Sequence, residues 1–348
     1  MYDIRYYIDE QVSALRHILS SRKVCTADFV KMTLETKPDR LYVVGSGTSC
    51  NAAMCAAPFM EMVLGIEVTA CAPSQLPVIR GENPLIVFIS QGGTSTNILR
   101  AIEQLRGYRT LAVTGREVCR VNDVCDRHVM LDCGAEVVGP KTKGYTCTIL
   151  TLYLMAMEAA LAMNALSETA YEEQLAALNA CFDRMPQQIA KVEAFVDENA
   201  AWLTAAPHYV IVGKGQDALV AKECVIKLVE TMLTTSSAYE FEEFLHGPVS
   251  LINKELGGIY MLPSEGDEDR ARMLTVAKYH AEKSGRVLVI DPEDAGVQTP
   301  WYTHVFTGVL PCQMMAAKLP DVMGVGKRGE EVFYEVDKLV DIKYGHVV

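Results

Sequence analysis

The sequence predicts an α/β protein made of two halves of similar plan, each a parallel sheet flanked by helices. Short β-branched runs alternate with helical segments rich in Ala, Leu and Met, which is typical of parallel sheets with helices on both faces. A strand that ends in a glycine loop occurs twice, at residues 41–47 and 208–215. The repeated order makes an internal duplication plausible, although few residues are identical between the halves.

The first half begins with a helical segment and continues as alternating strands and helices. Residues 3–37 are predicted to be helical because Val12, Leu15, Ile18 and Leu19 recur at helical spacing. The elements predicted after it are strand 41–44, helix 51–64, strands 67–72 and 85–90, helix 96–105 and strand 110–114.

Two long helices are predicted between the halves, because residues 145–204 are rich in Ala, Leu, Met and Glu with little β signal. The second half is predicted to contain strand 208–212, helix 217–234 and strands 257–262 and 286–290. We therefore divide the chain into an N-terminal helix (1–34), a first domain (35–165), a helical linker (166–204), a second domain (205–325) and a C-terminal tail (326–348).

The composition is that of an ordinary globular protein, with 348 residues, 50% apolar and 22% charged. The net charge of -12 disfavours nucleic acid and anionic membranes as partners. We see no apolar run of about 18 residues, so no membrane span is expected, and no signal peptide over Met1–Ile8. Eleven scattered cysteines without a CxxC pair predict reduced, buried thiols in the cytoplasm and no metal site.

Two hydroxyl-rich loops each close a strand and open a helix. Small residues let the backbone approach an anion, and a helix N-terminus adds its dipole, so both loops are candidates for binding a phosphate. The alternative is that their Ser and Thr are ordinary helix caps. The candidate phosphate-binding residues are Ser46, Thr48, Ser49, Ser90, Gln91 and Ser95. Neither loop matches a dinucleotide fingerprint or a P-loop.

A candidate acid/base group follows in the second half. Glu223, Lys227 and Glu230 are spaced i, i+4, i+7 and share one face of an otherwise apolar helix. A solvated stripe is the ordinary interpretation of such charges, but the apolar surroundings favour a cleft. His246 lies between an acidic stretch and Gly247-Pro248, and it is either a histidine at a turn or the imidazole partner of a carboxylate.

Four segments together resemble the sugar isomerase (SIS) family, in family order over about residues 35–260. The similarity is to the isomerase half of glucosamine-6-phosphate synthase and to double-SIS fructosamine-6-phosphate deglycases. The segments are Gly45–Ser49, Ser90–Ser95, Thr142–Thr146, and Lys222-Glu223 through His246-Gly247-Pro248. The resemblance implies two SIS domains with flavodoxin-like sandwiches.

The resemblance also implies roles for individual residues. Ser46, Thr48, Ser90, Gln91 and Ser95 would hold the phosphate of a sugar phosphate. Glu230 would be the base that moves a proton between C1 and C2, His246 would assist ring opening or protonate the leaving group, and Glu223 would support or orient. The histidine would enter from the partner subunit, which implies a homodimer with shared active sites and requires no cofactor.

The chain departs from the family pattern at several positions. Gly92 stands where the family often has Ser, and Thr94 where it often has Glu. The synthase ends in a tail whose lysine forms an imine with the ketose; residues 337–348 do not match that tail, and we do not carry its role to Lys343. No amidotransferase domain precedes the SIS segments, so glutamine-dependent synthesis is not expected.

We therefore expect a cytoplasmic enzyme that deglycates or deaminates a 6-phosphorylated ketosamine. An aldose–ketose or amino-sugar phosphate isomerase or deaminase of the same fold would use the same Glu and His. A non-catalytic sugar-phosphate sensor would retain the loops and need neither residue. The amine of the substrate is expected to contact the C-terminal part around Trp301, Tyr302, His304 and Met314-Met315.

Overall fold

The computed structural model describes residues 3–293 and 299–344 and divides into two compact units. The N-terminal unit comprises residues 10–137, 141–176 and 332–348, and the C-terminal unit comprises residues 1–9, 138–140 and 177–331. The domain boundaries predicted from the sequence divide the chain differently, and they stay a prediction.

The N-terminal unit contains a five-stranded parallel sheet in the order β2-β1-β3-β4-β5. The elements up to the end of this sheet and its core helix are α1 Ile4–Cys25, α2 Ala27–Thr36, β1 Arg40–Val44, α3 Thr48–Leu64, β2 Glu67–Cys71, β3 Pro84–Ile89, α4 Thr96–Gln104, β4 Arg109–Thr114, α5 Arg120–Val124, β5 Arg127–Met130 and α6 Lys143–Ala162.

The C-terminal unit contains a four-stranded parallel sheet in the order β7-β6-β8-β9. The remaining elements are α7 Glu168–Leu203, β6 His208–Gly213, α8 Gln216–Met232, β7 Thr235–Glu240, α9 Phe241–Leu245, β8 Leu256–Met261, α10 Asp269–Ser284, β9 Val287–Ile290, α11 His304–Thr307, α12 Leu310–Val322 and α13 Arg328–Val340.

The first four strands of each sheet have the same order, which agrees with the similar plan predicted for the two halves. In each, the first strand along the chain lies between the second and the third. The loops after β1 and β6 also match in conformation, since Gly47 has φ 55° and ψ −129° and Gly215 has φ 56° and ψ −122°. Both values lie in a region that side chains disfavour, which explains the glycine at each position.

The interior of each sheet is apolar, because parallel strands are covered on both faces. In the N-terminal unit, one face packs Phe88, Ile86 and Tyr42 against Ile98 and Ile102 of α4. In the C-terminal unit, Val210, Val212 and Tyr260 pack against α9 and α10 through residues such as Phe241, Phe244 and Met273.

Helix α6 corrects two expectations. It is long and apolar enough to cross a membrane, because an 18-residue stretch of it has a mean hydropathy of 1.4. The sequence pattern had indicated no such stretch. In the structure, 89% of the stretch is buried inside the protein. It is therefore a core helix of the N-terminal unit, whereas the sequence pattern places residues 145–204 between the two halves. Phe59 of α3 stacks on its Tyr153 with ring centroids 4.1 Å apart, and Cys55 Sγ lies 3.2 Å from Tyr145 Oη.

The sequence pattern did not predict strands β5 and β7 or helices α5, α9, α10, α11, α12 and α13. Strand β7 is an edge strand with the sequence Thr-Ser-Ser-Ala-Tyr-Glu, and its residues are exposed or half-buried. It has no continuous apolar run because only one of its edges pairs and its faces are incompletely covered. The sequence pattern assigns no element to residues 235–240.

Candidate active site

The two hydroxyl-rich loops leave the same edge of the N-terminal sheet. Strands β1 and β3 are parallel neighbours, with Val44 paired to Phe88 at their carboxyl ends. This is the position where the strand order reverses, which is the usual ligand site of open α/β sheets. Asn97 joins the two loops, since its Nδ2 donates to Ser46 Oγ at 2.8 Å. The sequence pattern did not single out Asn97, although a side-chain amide in the first turn of a helix that follows such a loop was a signal for a residue of the site.

Helix capping does not account for the hydroxyl of Ser95. The N-cap residues of α3 and α4 are Gly47 and Ser95, and neither makes a side-chain capping hydrogen bond. Ser95 Oγ lies 3.0 Å from the buried Ser90 Oγ instead. The start of α6, by contrast, is capped by a side chain. The Glu136 carboxylate accepts hydrogen bonds from Thr142 N at 2.7 Å and from Gly144 N at 3.0 Å.

Close backbone approach explains two glycines of the loops. A Cβ on Gly45 would lie 2.7 Å from the backbone carbon of Ser49, so only glycine lets β1 turn this tightly into α3. Gly93 has a φ of 69°, and a Cβ there would collide with the side chain of Cys119. Gly92 is different, because its nearest neighbour would be Thr94 Oγ1 at 3.7 Å.

Gln91 is held by its backbone and by its amide. Gly115 N donates to Gln91 O at 2.9 Å. The amide packs directly on Gly144, where a Cβ would come within 2.5 Å of Gln91 Oε1, and Nε2 donates to Cys133 Sγ at 3.7 Å. Burial raises the pKa of the Cys133 thiol to about 11, so the sulfur faces Gln91 as a neutral thiol.

The C-terminal tail, which matched nothing in the sequence analysis, pairs with the second loop. Lys343 forms an antiparallel bridge with Ser95. Thr96 N donates to Ile342 O at 3.1 Å, and Tyr344 N donates to Thr94 O at 2.7 Å. These backbone hydrogen bonds tie residues 94–96 to the C-terminal tail. The Lys343 ammonium lies over the Phe333 ring, 5.3 Å from its centroid.

The three charges of α8 form one ion-pair group in the C-terminal unit. Lys227 is fully buried, with Nζ 2.9 Å from Glu230 Oε2 and 3.5 Å from Glu223 Oε1. Glu223 is also fully buried, whereas the Glu230 side chain is 39% exposed. The face is thus a buried ion pair at one end and an accessible carboxylate at the other, which rules out a solvated stripe.

The acidic stretch before His246 has structural partners. Glu240 caps α9, since its Oε2 accepts from Glu242 N at 2.7 Å and from Glu243 N at 3.3 Å. Glu242 pairs with Arg272 of α10. His246 follows the last turn of α9, its backbone N–H bonding to Glu242 O at 3.1 Å, and its side chain is exposed.

The predicted residues therefore fall into two groups, each local to one unit. The phosphate-loop candidates Ser46, Thr48, Ser49, Ser90, Gln91 and Ser95 lie in the N-terminal unit, and Glu223, Glu230 and His246 lie in the C-terminal unit. No hydrogen bond or ion pair joins Glu230 to His246 in residues 3–293 and 299–344.

The residues proposed to contact the amine of a substrate are mostly core residues, so that prediction is wrong for them. Met314 and Met315 are fully buried on α12, which packs on α8. His304 is 3% exposed and lies 3.6 Å from Asp217 Oδ2, whose pKa is raised by burial. Tyr302 is also buried, and only Trp301 of this set is exposed.

The described part of the chain contains no group of three or more His, Cys, Asp or Glu side chains that could hold a metal ion. All eleven cysteines are free thiols, and nine of them are buried.

Known proteins resemble this chain in sequence and in structure. No protein-family model matches it. A glutamine–fructose-6-phosphate aminotransferase (isomerizing) from Clostridium perfringens is 29% identical over 270 residues, which is 73% of this chain and 43% of the relative. The chain thus spans less than half the length of that curated relative.

Two solved structures share the fold. A candidate phosphosugar isomerase from Clostridium difficile 630 superposes with a TM-score of 0.83 and 24% identity, covering 94% of this chain and 95% of the other. The C-terminal domain of glucosamine-fructose-6-phosphate aminotransferase from Francisella tularensis gives a TM-score of 0.80 with 18% identity, covering 93% and 97%. Together with the loops and the α8 face, these comparisons show that the sequence and fold of this chain resemble those of the sugar isomerase (SIS) family.

Proposed function

We propose that this protein deglycates a 6-phosphorylated ketosamine, using Glu230 as the base. The observation that carries the proposal is the state of the Glu230 carboxylate. Its Oε2 is fixed by the buried Lys227 ammonium at 2.9 Å, and its Oε1 takes no hydrogen bond from any residue in the described ranges. A carboxylate fixed through one oxygen and accessible through the other suits proton abstraction next to a carbonyl.

The reaction moves a proton from C1 to C2 and consumes one water molecule. The open-chain ketosamine has a carbonyl at C2 and an amine on C1. Glu230 takes a proton from C1, the electrons of that C–H bond form the C1–C2 double bond, and the π electrons of the C2 carbonyl move to its oxygen, which takes up a proton to give an enaminol. Protonation at C2 gives an imine at C1, and water adds to it to release an aldose 6-phosphate and the free amine. Negative charge develops on the C2 oxygen in this step, so a hydrogen-bond donor beside that oxygen would stabilise it.

The phosphate of the substrate would bind at the loops after β1 and β3. Backbone N–H groups at the starts of α3 and α4 favour an anion there, and this requires no net positive charge on a chain of charge -12. Ser46, Ser90 and Ser95 supply hydroxyls, with Thr48, Ser49 and Gln91 beside them. Glu223 acts through Lys227, because it is buried and forms its ion pair with that ammonium.

The imidazole would come from a second subunit. His246 is exposed after α9, and the partner subunit's His246 would protonate the leaving group or open the sugar ring. We therefore infer a homodimer with two shared sites.

Measuring the amine that is released separates deglycation from the second candidate function, which is that of an aldose–ketose or amino-sugar phosphate isomerase. That candidate is supported by the names of the relatives, one an isomerizing aminotransferase and one a candidate phosphosugar isomerase. A panel of ketosamine 6-phosphates, beginning with fructoselysine 6-phosphate, is incubated with the protein and released amine is measured. Isomer without amine would favour the isomerase. A thermal shift with glucose 6-phosphate but no turnover would favour a sensor.

The base assignment is tested with Glu230→Gln. We expect kcat to fall about 10²–10⁴-fold, because the amide cannot accept the C1 proton. Glu282→Gln, an exposed position on α10, is the matched control and should keep the activity of the unsubstituted protein. Unchanged turnover in Glu230→Gln would sink the base assignment.

A further inference from the structure

The start of helix α13 packs directly on the end of helix α8, which carries Glu230. Gly329 is the second residue of α13, and a Cβ there would lie 2.0 Å from the backbone oxygen of Glu230 and 3.1 Å from its carbonyl carbon. Both residues belong to the C-terminal unit. A backbone carbonyl cannot swing aside as the end of a flexible side chain can, so only glycine permits this contact.

Nothing within α13 itself explains the glycine. Gly329 has no positive φ, so its backbone conformation is open to any residue. Alanine also favours a helix more than glycine does at an ordinary helical position. The close approach to the Glu230 carbonyl is therefore the reason for glycine here.

The contact falls where α8 ends in a constrained turn. Leu233 follows the last residue of α8 and has φ 54° and ψ 30°, in the left-handed region that side chains disfavour. A Cβ on Gly329 would lie 3.3 Å from Leu233 Cδ2, so the leucine packs beside the same point of α13. A disfavoured conformation of this kind persists where the surrounding structure holds it, and the contact with Gly329 supplies part of that support.

The start of α13 is also held by a second contact. The side chain of Glu330 lies against Gly139, where a Cβ would be 3.1 Å from Glu330 Cγ and Cδ. These two residues likewise belong to the C-terminal unit. Two successive residues of α13 thus contact two different segments of this unit, which limits how far the helix can withdraw from α8.

The side chain and the main chain of Glu230 are therefore held by different residues. Lys227 Nζ holds the carboxylate through Oε2 at 2.9 Å, and Gly329 lies against the backbone carbonyl. Catalytic groups must be held within about 0.5 Å of the productive geometry, and a misplacement of about 1 Å can cost 10²-fold in rate.

We propose that Gly329 is a positioning residue for Glu230. Its close approach sets the position of the main chain from which the Glu230 carboxylate reaches the C1 proton. The inference rests on the proposed function, in which Glu230 is the base. Gly329 acts through the backbone of Glu230, whereas Lys227 acts on the carboxylate.

The test compares Gly329→Ala with Arg328→Ala, which places an alanine at the exposed position one residue earlier. The added Cβ must retreat from 2.0 Å to an ordinary contact of at least 3.4 Å. We expect kcat for amine release to fall about 10²-fold with KM unchanged, and Arg328→Ala to keep the activity of the unsubstituted protein. A raised KM with unchanged kcat would overturn the inference, because the effect would then lie in substrate binding.

A double-variant cycle with Glu230→Gln separates positioning from a general structural effect. If Gly329 acts through Glu230, Gly329→Ala should lower the residual turnover of Glu230→Gln by less than about twofold, because no base remains to be misplaced. An equal loss in both backgrounds would overturn the inference. Full turnover in Glu230→Gln alone would instead contradict the proposed base.

Leu233→Ala provides a second test that does not depend on the folding of Gly329→Ala. The leucine side chain is 43% exposed, so its truncation should leave the circular dichroism unchanged. It removes the atom that packs beside Gly329 without creating a collision. We expect a smaller fall in kcat, again with KM unchanged, and an unchanged kcat would count against the positioning role.

Discussion

Lys227 holds the candidate acid/base face together at the scale of single residues. Its ammonium is fully buried between a buried carboxylate and an accessible one. Heptad-like spacing alone predicts that Glu223, Lys227 and Glu230 share a face. It does not predict that Lys227 is buried, because the packing of neighbouring elements decides which face of a helix is covered.

Lys227→Met should therefore destabilise the protein and impair turnover. Removing one member of a buried ion pair costs about 3–5 kcal/mol, because the buried Glu223 carboxylate loses the ammonium beside it. Urea unfolding measures the change. Glu223→Gln/Lys227→Met should recover much of the stability, because no buried charge remains, but not the turnover, because Glu230 has lost the group that holds it. A stability loss below about 1 kcal/mol in the single variant would refute this.

His280 makes stability depend on pH. Its Nε2 lies 3.1 Å from Leu256 O, which can only accept, so Nε2 carries the proton; Nδ1 then accepts from Tyr260 Oη at 3.0 Å. Burial lowers the pKa of this imidazole below its usual value of about 6.5. The unfolded chain thus takes up the proton first, and the contribution to stability is full above about pH 6.5 and is lost as the pH falls below it.

The check is urea unfolding between pH 5 and 7.5. His280→Gln keeps one donor and one acceptor but does not titrate, so its free energy of unfolding should fall less on acidification than that of the unsubstituted protein. Parallel pH profiles for the two proteins would show that His280 does not contribute.

At the scale of elements, the second loop depends on Gly93 but not on the neighbouring Gly92. Gly93→Ala would force a side chain into a positive φ and into Cys119. We expect binding of glucose 6-phosphate to weaken more than about tenfold, because the loop must move. Gly92→Ala is the matched control one residue earlier and should bind within about twofold, since its Cβ meets only Thr94 Oγ1 at 3.7 Å. Isothermal titration calorimetry measures both, and equal affinities would argue against the loop as the phosphate site.

The central strands and the edge strands β2 and β9 were predictable, whereas the edge strands β5 and β7 were not. Strands β1, β3, β4, β6 and β8 lie within about one residue of their predicted bounds, because buried parallel strands are continuous apolar runs. The edge strands β5 and β7 carry polar residues such as His128 and Ser236. Their strand character comes from pairing with a neighbour, which sequence periodicity does not record.

At the scale of the whole molecule, shared sites predict complementation between two inactive variants. A heterodimer of one Glu230→Gln subunit and one His246→Ala subunit would contain one intact site. That site is made of Glu230 from the His246→Ala subunit and His246 from the Glu230→Gln subunit. Random mixing of equal amounts after dissociation gives half heterodimers, so about a quarter of the original activity should return. Homodimers of either variant alone are the controls. Activity that does not rise on mixing would contradict a shared site.

The sequence alone determined the two-half α/β plan, the two hydroxyl-rich loops and the spacing of the acid/base candidates. These are local properties, since they follow from apolar runs, glycine positions and helical periodicity. The tertiary structure decided which face of α8 is buried, that the tail pairs with the Ser95 loop, and that His304, Met314 and Met315 belong to a core. Those outcomes depend on contacts between residues far apart in the chain, such as Ser95 and Lys343, and no local pattern contains them.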